Sequence, residues 1–243
     1  MKRVLLAVLV SGILLLSACG APTTAPPAEA PPSPPPTEQP APAPTPAPAP
    51  PKVPPAKPQI RGVTDYFEMD YYYLVGEVFN LTGSNINFVK VVATFYDETG
   101  TVIGTAFTYT ELDIILPNEA APFQISSYPD KIQPASCKLS SDYSATTEQP
   151  FAGLSIKSHS ASIDDMGYHK IVGEVENTST VPAEFVKIIA TYYNSSEDVI
   201  GTAFTYTDID VIESGGTAPF ELSSYPREIK PASYKLQVQG SEH

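Results

Sequence analysis

The sequence contains no tryptophan, two cysteines and three histidines in 243 residues. The two cysteines cannot form a disulfide framework, because Cys19 ends an N-terminal leader and Cys137 is replaced by Tyr234 in the second copy of an internal repeat. A domain of this size without disulfides depends on its hydrophobic core. We therefore expect Cys137 to be a small buried hydrophobe, with an exposed reactive thiol as the alternative.

Basic residues are also scarce. The chain carries 14 Lys and Arg against 27 Asp and Glu, for a formal net charge of −13. Nucleic-acid binding requires a basic face that displaces counterions from phosphates, so the composition excludes a nucleic-acid partner. The same balance disfavours adsorption to an anionic lipid surface.

Sequence motifs of common catalytic sites are missing. The chain has no phosphate-binding glycine loop, no Gly-x-Ser-x-Gly elbow and no His-Glu-x-x-His pair. None of the histidines (His159, His169, His243) lies in the first repeat copy. His159 and His169 with Met166 could ligate a soft metal, but exposed surface histidines are the favoured interpretation because no fixed ligand spacing is present. We predict no enzyme, no catalytic residue, no metal and no cofactor.

The N-terminus has the features of a secretory signal. Lys2 and Arg3 precede an apolar run, Val4 to Leu16, that is too short to span a bilayer comfortably. The sequence Leu16-Ser17-Ala18-Cys19 resembles the lipobox of bacterial lipoproteins. That resemblance implies a signal peptide over 1–18 and lipid attachment at Cys19, hence an extracytoplasmic chain anchored to the cell membrane. The alternative is an ordinary cleaved signal that leaves a free cysteine.

The segment that follows, 19–59, is rich in proline and alanine and has almost no apolar bulk to bury. Such a composition predicts a disordered linker. Dense proline favours the polyproline II conformation, at roughly 3 Å per residue, so the linker could hold the rest of the chain up to about 120 Å from its anchor.

The remainder of the chain is an internal repeat. The nonapeptide Val-Ile-Gly-Thr-Ala-Phe-Thr-Tyr-Thr occurs at 102–110 and again at 199–207, and Leu74 to Leu139 aligns with Ile171 to Leu236 at a constant offset of 97 residues without a gap. A repeat of that length is a domain rather than a solenoid unit. We predict two domains, at 60–142 and 150–240.

Both copies have the composition of β-strands. Tyr72 to Asn80, Phe88 to Asp97 and Val102 to Thr110 are rich in β-branched and aromatic residues and are separated by turn residues. In the second of these segments, apolar and polar residues alternate. The apolar face has Val89, Val91, Ala93 and Phe95, and the polar face has Lys90 and Thr94. The second copy repeats the pattern with Val186, Ile188, Ala190 and Tyr192 on the apolar face and Lys187 and Thr191 on the polar face. This period predicts sheets packed on one side only. The fold class is therefore all-β, with two tandem immunoglobulin-like antiparallel β-sandwiches, and a small barrel as the alternative.

Several short blocks resemble the FxLYD family of bacterial and archaeal surface modules. The residues that carry the resemblance are Gly76-Glu77-Val78 with Asn80, Ala93-Thr94-Phe95-Tyr96-Asp97, Gly104, and Ala121-Pro122-Phe123. Ala93 stands where the family name has Phe, and Asn194 replaces the Asp in the second copy. The resemblance implies an immunoglobulin-like fold and a surface lipoprotein context, and it implies no catalytic residues.

Aromatic residues distinguish the first copy from the second. Tyr73 and Phe79 alternate on one strand and are replaced by Lys170 and Glu176 in the sister copy. Exposed aromatics cluster where surfaces bind, which makes Tyr73 and Phe79 candidate binding residues. The alternative is that they pack against the other domain or against the connecting segment 140–149.

Two further patterns could carry ligands. Glu111 and Asp113, repeated as Asp208 and Asp210, could contribute oxygens to calcium, but a solvated acidic face is favoured because a calcium loop needs more converging oxygens. Three Asn-x-Ser/Thr sequons begin at Asn80, Asn177 and Asn194, and we interpret them as turn residues.

The sequence thus predicts a lipid-anchored lipoprotein that acts as a non-catalytic interaction or structural module at the cell surface. Its expected partners are the membrane, through the lipid on Cys19, and an envelope protein or glycan. The alternative is a ligand-binding or accessory lipoprotein for a transporter or for envelope glycans.

Overall fold

A computed structural model describes residues 56–68, 71–127, 134–224 and 230–243. In these ranges the regular structure is strand, in agreement with the all-β prediction. None of the described residues belongs to a helix long and apolar enough to cross a membrane. The predicted signal peptide, Cys19 and nearly all of the proline-rich linker lie outside the described residues.

The strands fall into two successive sets of seven. The first set is β1 (Gln59–Glu68), β2 (Tyr71–Phe79), β3 (Asn85–Tyr96), β4 (Val102–Tyr109), β5 (Ile114–Ile115), β6 (Ala120–Ser127) and β7 (Ser136–Thr146). The second set is β8 (Leu154–Ile163), β9 (His169–Asn177), β10 (Ala183–Tyr193), β11 (Val199–Tyr206), β12 (Val211–Ile212), β13 (Thr217–Ser224) and β14 (Ser233–Glu242).

Each set forms two antiparallel sheets. Sheet A has the order β1-β2-β6, and sheet B places β3 between β7 on one side and β4 and β5 on the other. Sheets C (β8-β9-β13) and D (β10 between β14 and β11 with β12) repeat this arrangement. The two immunoglobulin-like β-sandwiches predicted from the sequence are confirmed as the fold. The exact domain limits stay a prediction, with β7 running to Thr146 and β8 starting at Leu154.

The cores lie between the paired sheets. The predicted inner face of β3 is confirmed, since Val89, Val91, Ala93 and Phe95 are all buried. They meet residues of sheet A, among them Phe123. A Cβ added to Gly76 would lie 2.9 Å from that ring, and one added to Gly173 would lie 2.7 Å from the Phe220 ring. Glycine is therefore required in both copies, because each phenylalanine ring packs directly over the glycine that it pairs with on the neighbouring strand of the same sheet.

A tight turn joins the central strands in each copy. Gly100 N donates to Asp97 O over 3.0 Å between β3 and β4, and Glu197 N donates to Asn194 O over 3.1 Å between β10 and β11. Pro122 and Pro219 lie on β6 and β13, which are edge strands, where a missing N–H leaves no ladder bond broken.

One expectation is wrong in the second copy. The alternating pattern predicted sheets packed on one side only, but on β10 both faces are buried, including Ile189 and Thr191 on the outward face. The physical reason is that the outward face of sheet D is covered by the first sandwich, and Ile189 joins the first sandwich's hydrophobic cluster. The same strand pattern in β3 has no such cover within the described residues.

Asn80 and Asn177, the first two sequon asparagines, hold together the strand ends at one corner of each sandwich. Asn80 is buried, and its Nδ2 donates to Ser84 O and Ile115 O at 2.8 Å each. Asn177 repeats this with Val181 O at 2.9 Å and Ile212 O at 2.8 Å. The Ser or Thr two residues later donates to the asparagine Oδ1 in both copies. These sequons are therefore structural corners that join the strand ends.

Candidate interaction surfaces

The two sandwiches belong to one compact unit and meet face to face. The outward face of sheet A packs on the outward face of sheet D, with β11 contacting β1, β2 and β6. Val75 and Ile189, which point away from their own cores by strand alternation, are each 0 % exposed. We call this contact the inter-sandwich interface.

A polar network lies within the inter-sandwich interface. The Tyr193 hydroxyl donates to Oε1 of buried Glu77 over 2.5 Å, and Arg61 Nη2 lies 3.6 Å from Glu77 Oε2. The Thr64 hydroxyl donates to the carbonyl oxygen of Val199. Burial, together with the bond to Glu77, raises the pKa of Tyr193, so the phenol stays protonated as the donor. The buried carboxylate thus has a partner in the other sandwich.

A second polar contact lies at one end of the inter-sandwich interface. Lys187 Nζ bonds Glu111 Oε2 at 2.7 Å and the Glu111 carbonyl at 3.1 Å. Asp113 N donates to Gln239 Oε1 over 2.9 Å. The acidic pair of the first copy is therefore engaged by the second sandwich. Its sister pair, Asp208 and Asp210, is exposed. Among the described residues no three His, Cys, Asp or Glu side chains converge as metal ligands.

The predicted binding residues Tyr73 and Phe79 lie at the two ends of the covered face of β2. Tyr73 is half-buried and stacks on Tyr66, with ring centroids 4.8 Å apart and planes 9° apart. Phe79 is half-buried under the Arg61 guanidinium, whose Cζ lies 4.0 Å from the ring centroid. Both residues therefore flank the buried Val75 and Glu77, and a binding role for them stays a prediction.

A cleft opens between the sandwiches beside Tyr73. Its volume is about 280 Å³, and its walls include the aromatic rings of Tyr66, Tyr73 and Tyr192 together with His169 and Glu68. Burial, with a smaller effect from the Lys230 charge, lowers the pKa of His169. The histidine in this wall is therefore biased toward its neutral form.

A pair of exposed aromatics is present in both copies. Phe107 and Tyr109 on β4 are 59 % and 52 % exposed, and Phe204 and Tyr206 on β11 are 52 % and 51 % exposed. We call these four residues the aromatic row. In each pair the rings meet edge to face, with centroids 6.4 Å and 6.1 Å apart.

A lysine lies over the phenylalanine of each pair. Lys90 Nζ is 4.0 Å from the Phe107 ring centroid, and Lys187 Nζ is 4.2 Å from that of Phe204. This cation–π geometry orders the aromatic row. Lys90 places a positive charge at the edge of the first pair, whereas the Lys187 charge beside the second pair is matched by Glu111.

A strained phenylalanine lies on the strand beside each pair. Phe88 and Phe185 have φ of 49° and 50°, and they are 72 % and 69 % exposed. A left-handed backbone is costly for a bulky side chain, and here no burial of the ring offsets that strain. Both lie where the register between β3 and β7, or between β10 and β14, is interrupted. Each bulge thus displays an aromatic ring to the outside.

Other candidate residues have structural surroundings. Cys137 is half-buried beside the first core, and burial raises the pKa of its thiol. His159 is exposed, with Nδ1 3.0 Å from the Tyr234 hydroxyl, while His169 is half-buried against Tyr192. The two histidines lie on different strands, with His159 opposite Gly173. The expectation that both are exposed surface residues holds for His159 and is wrong for His169, because His169 packs into the cleft wall.

Sequence reasoning missed the aromatic row as a surface. The alternation of Phe107 and Tyr109 with small residues was compatible with either face of a sandwich strand. The signal that could have found the row is the identical nonapeptide. Identical core-facing residues in the two copies are explained by their similar cores, but identical outward-facing aromatic residues are not.

Comparisons with known proteins identify no family for this chain. No protein-family model matches the chain, and no match is found among curated protein sequences. Matches among solved structures include red sea bream transglutaminase, with a TM-score of 0.26 and 9 % identity, covering 76 % of this chain and 29 % of that one. The exo-chitosanase CsxA of Amycolatopsis orientalis matches with a TM-score of 0.27 and 10 % identity, over 74 % of this chain and 25 % of that one. A β-glucuronidase of glycoside hydrolase family 2 matches with a TM-score of 0.26 and 11 % identity, over 71 % of this chain and 22 % of that one. The chain spans less than a third of each of those proteins, and similarity this low carries no functional argument.

Proposed function

We propose that this chain is a non-catalytic interaction module held outside the cytoplasmic membrane by a lipid on Cys19. The observation that carries the proposal is the exposed aromatic row, which recurs with its lysines in both sandwiches. Aromatic side chains with an adjacent cation are enriched where protein surfaces bind partners. The proposed partner is an envelope protein or glycan.

Features of the sequence outside the sandwiches support this role. The lipobox-like Leu16-Ser17-Ala18-Cys19 supplies an anchor, and the proline-rich segment after it supplies a spacer between membrane and sandwiches. Within the sandwiches, the resemblance of blocks such as Gly76-Glu77-Val78 to FxLYD surface modules is consistent with the same setting.

The aromatic row is tested by capture from envelope membranes. The variant Phe107→Ser/Phe204→Ser removes one ring from each sandwich without touching the core. We expect capture of the native partner to fall by about tenfold or more, as for loss of interface aromatics. Its unfolding free energy should change by about 0.5 kcal/mol or less, because the rings are exposed.

The matched control is Lys138→Ser/Lys235→Ser, at exposed sister positions on β7 and β14. This variant should retain capture. Equal loss of capture in both variants, or full capture by the aromatic variant, would remove the aromatic row as the binding surface.

The anchor is tested separately by fractionating cells that express Cys19→Ala. Without the thiol no thioether to diacylglycerol can form, so we expect the protein to move from the membrane fraction to the soluble or unprocessed form. A variant that stayed on the membrane after signal cleavage would show that lipidation at Cys19 is not the anchor.

The alternative function is ligand binding in the cleft between the sandwiches. The observation that favours it is the cleft's combination of stacked tyrosines with His169 and Glu68. Its volume of about 280 Å³ is near the lower end of ligand clefts, which typically hold about 300–1,000 Å³. Calorimetric titration with N-acetylglucosamine and its short oligomers tests this, with Tyr66→Ala as the variant that should lose binding.

A further inference from the structure

The inter-sandwich interface uses one face of each sandwich and leaves the other face of each open. The first sandwich contributes sheet A, and the second contributes sheet D. Sheet C is the sister of sheet A, and sheet B is the sister of sheet D, at the offset of 97 residues. In the described part of the chain, the outward faces of sheets B and C are therefore uncovered copies of two surfaces that bind each other.

We propose that copies of this chain associate head to tail, with the outward face of sheet C on one copy packed against the outward face of sheet B on the next. The occupant of each open face is thus a second copy of the chain. The arrangement repeats the inter-sandwich interface between molecules, and it goes beyond the proposed function because it needs no other partner.

The centre of the sheet C face keeps the residues of its covered sister. Val172 and Glu174 occupy the positions of Val75 and Glu77. Ser160, which pairs with Val172, occupies the position of Thr64, which pairs with Val75. A β-branched apolar residue, a carboxylate and a hydroxyl are therefore retained where the inter-sandwich interface uses them.

The outward face of sheet B keeps more of the residues of its covered sister, sheet D, than sheet C keeps of sheet A. Lys90, Val92, Thr94 and Tyr96 stand where β10 has Lys187, Ile189, Thr191 and Tyr193. Val102 stands where β11 has Val199, and it is exposed rather than buried. Placed on sheet C as sheet D is placed on sheet A, Tyr96 would donate to Glu174 and Lys90 would pair with Asp208.

Charge also favours this pairing. The sheet C face and its adjoining loop carry Glu174, Glu176 and Glu221 with Asp208 and Asp210, and Lys157 and Lys170 pair with Glu176 and Glu221. The sheet B face offers Lys90 and Lys138 with Asp142, and its adjoining β3–β4 hairpin adds Asp97 and Glu98. The attraction is therefore local, from Lys90 and Lys138 to the acidic face of sheet C, and it favours one register of encounter.

Differences at the rim set the strength of the association. On sheet C, Lys170 and Glu176 replace the Tyr73 and Phe79 of sheet A. In the proposed contact Asp142 would face Asp210, two like charges, whereas inside the chain Gln239 faces Asp113. The contact between copies is therefore weaker than the one inside the chain, which also benefits from covalent linkage and its high effective concentration. Because the interface is heterologous, it extends into chains of molecules rather than closing as a dimer.

The test is sedimentation equilibrium of residues 19–243 carrying Cys19→Ala, so that no acyl chain drives association. The weight-average mass should rise with concentration for this protein. Lys90→Glu and Asp208→Lys should each weaken association by about tenfold, since each creates a like-charge contact in the interface. Neither residue is buried, and a thermal melt confirms that each variant is folded.

The double variant Lys90→Glu/Asp208→Lys decides the geometry. The two residues belong to opposite open faces, so only a contact between copies can restore the attraction, and association should return to within about threefold of the starting protein. An equimolar mixture of the two single variants should associate in the same way.

A protein that stays monomeric at millimolar concentration, or a double variant as weak as the single ones, would overturn the proposal. Phe107 and Tyr109 of the aromatic row lie on the sheet B face beside Lys90. The proposed function is therefore tested apart from association by measuring capture at a concentration at which the chain is monomeric, where no second copy covers that face. If capture persists while the purified chain stays monomeric, head-to-tail association fails alone. If association persists while capture is lost in both the aromatic and the control variants, only the aromatic row fails.

Discussion

At the scale of single residues, the two copies are held by the same buried asparagine corner. Asn177 donates to Val181 O and Ile212 O, and it accepts from the Ser179 hydroxyl over 2.7 Å. Removing the amide leaves buried acceptors without a donor, which costs more than the hydrogen bonds themselves contribute. The Asn-x-Ser/Thr pattern therefore has a physical origin in side-chain hydrogen bonding.

We predict that Asn177→Ala lowers the unfolding free energy by about 3 kcal/mol in urea titration. Asn194→Ala is the control from the remaining sequon. Asn194 is only half-buried and accepts from Ser196 N and Asp198 N in a turn, so its loss should be about 1 kcal/mol or less. Equal losses of unfolding free energy in the two variants would show that the hydrogen bonds at Asn177 contribute no more to stability than those of an exposed turn.

His169 makes stability depend on pH. Its pKa lies below the ordinary value of 6.5, chiefly because of burial. Below pH 6.5 the unfolded chain therefore binds more protons at this residue than the folded chain does, and stability falls as the pH is lowered.

The corresponding prediction is that the melting temperature drops between pH 7 and pH 5 by more in the wild type than in His169→Tyr. This variant carries the residue of the sister position, Tyr72, and has no group that titrates in that range. Identical pH slopes for the two proteins would contradict a role for His169.

At the scale of elements, the sequence was sufficient for the strands and their inner faces. The alternation along β3 and β10 identified the core residues, and the gapless repeat identified two sandwiches of one design. What it could not show is which outward face is covered. Val92 and Ile189 have nearly the same chemistry, and only the placement of the first sandwich on sheet D makes one of them buried.

Packing between neighbouring strands of one sheet predicts a sharp contrast between two glycines. A Cβ on Gly173 would clash with the Ser158 carbonyl oxygen and lie 2.7 Å from the Phe220 ring, whereas a Cβ on Gly104 meets nothing within 4 Å. Gly173→Ala should therefore lower the unfolding free energy by about 2–3 kcal/mol through overpacking. Gly104→Ala should be neutral or stabilise slightly, by about 0.5 kcal/mol, through reduced unfolded-state entropy.

Unfolding of both glycine variants by urea measures this contrast. A tolerated Gly173→Ala would mean that β9 and Phe220 can separate without cost, which is incompatible with the close packing in the second core.

At the scale of the whole molecule, the inter-sandwich interface determines which surfaces can bind. It removes Val75, Glu77 and Ile189 from solvent, places Tyr73 at the cleft, and leaves the aromatic row at the outside. The sequence indicated an asymmetry at Tyr73 and Phe79, since their sisters are charged. It could not distinguish packing from binding there, because half-buried aromatics serve both.

The central claim is that the outward face of sheet D is buried against the first sandwich while that of sheet B is open. The most direct measurement is the unfolding free energy of Ile189→Lys compared with Val92→Lys, its sister substitution, in dilute protein. We predict a loss of about 3–5 kcal/mol for Ile189→Lys, from an unpaired charge in a buried site, and about 1 kcal/mol or less for Val92→Lys. Equal losses for the two lysines would contradict the claim, because the two faces would then be equally open.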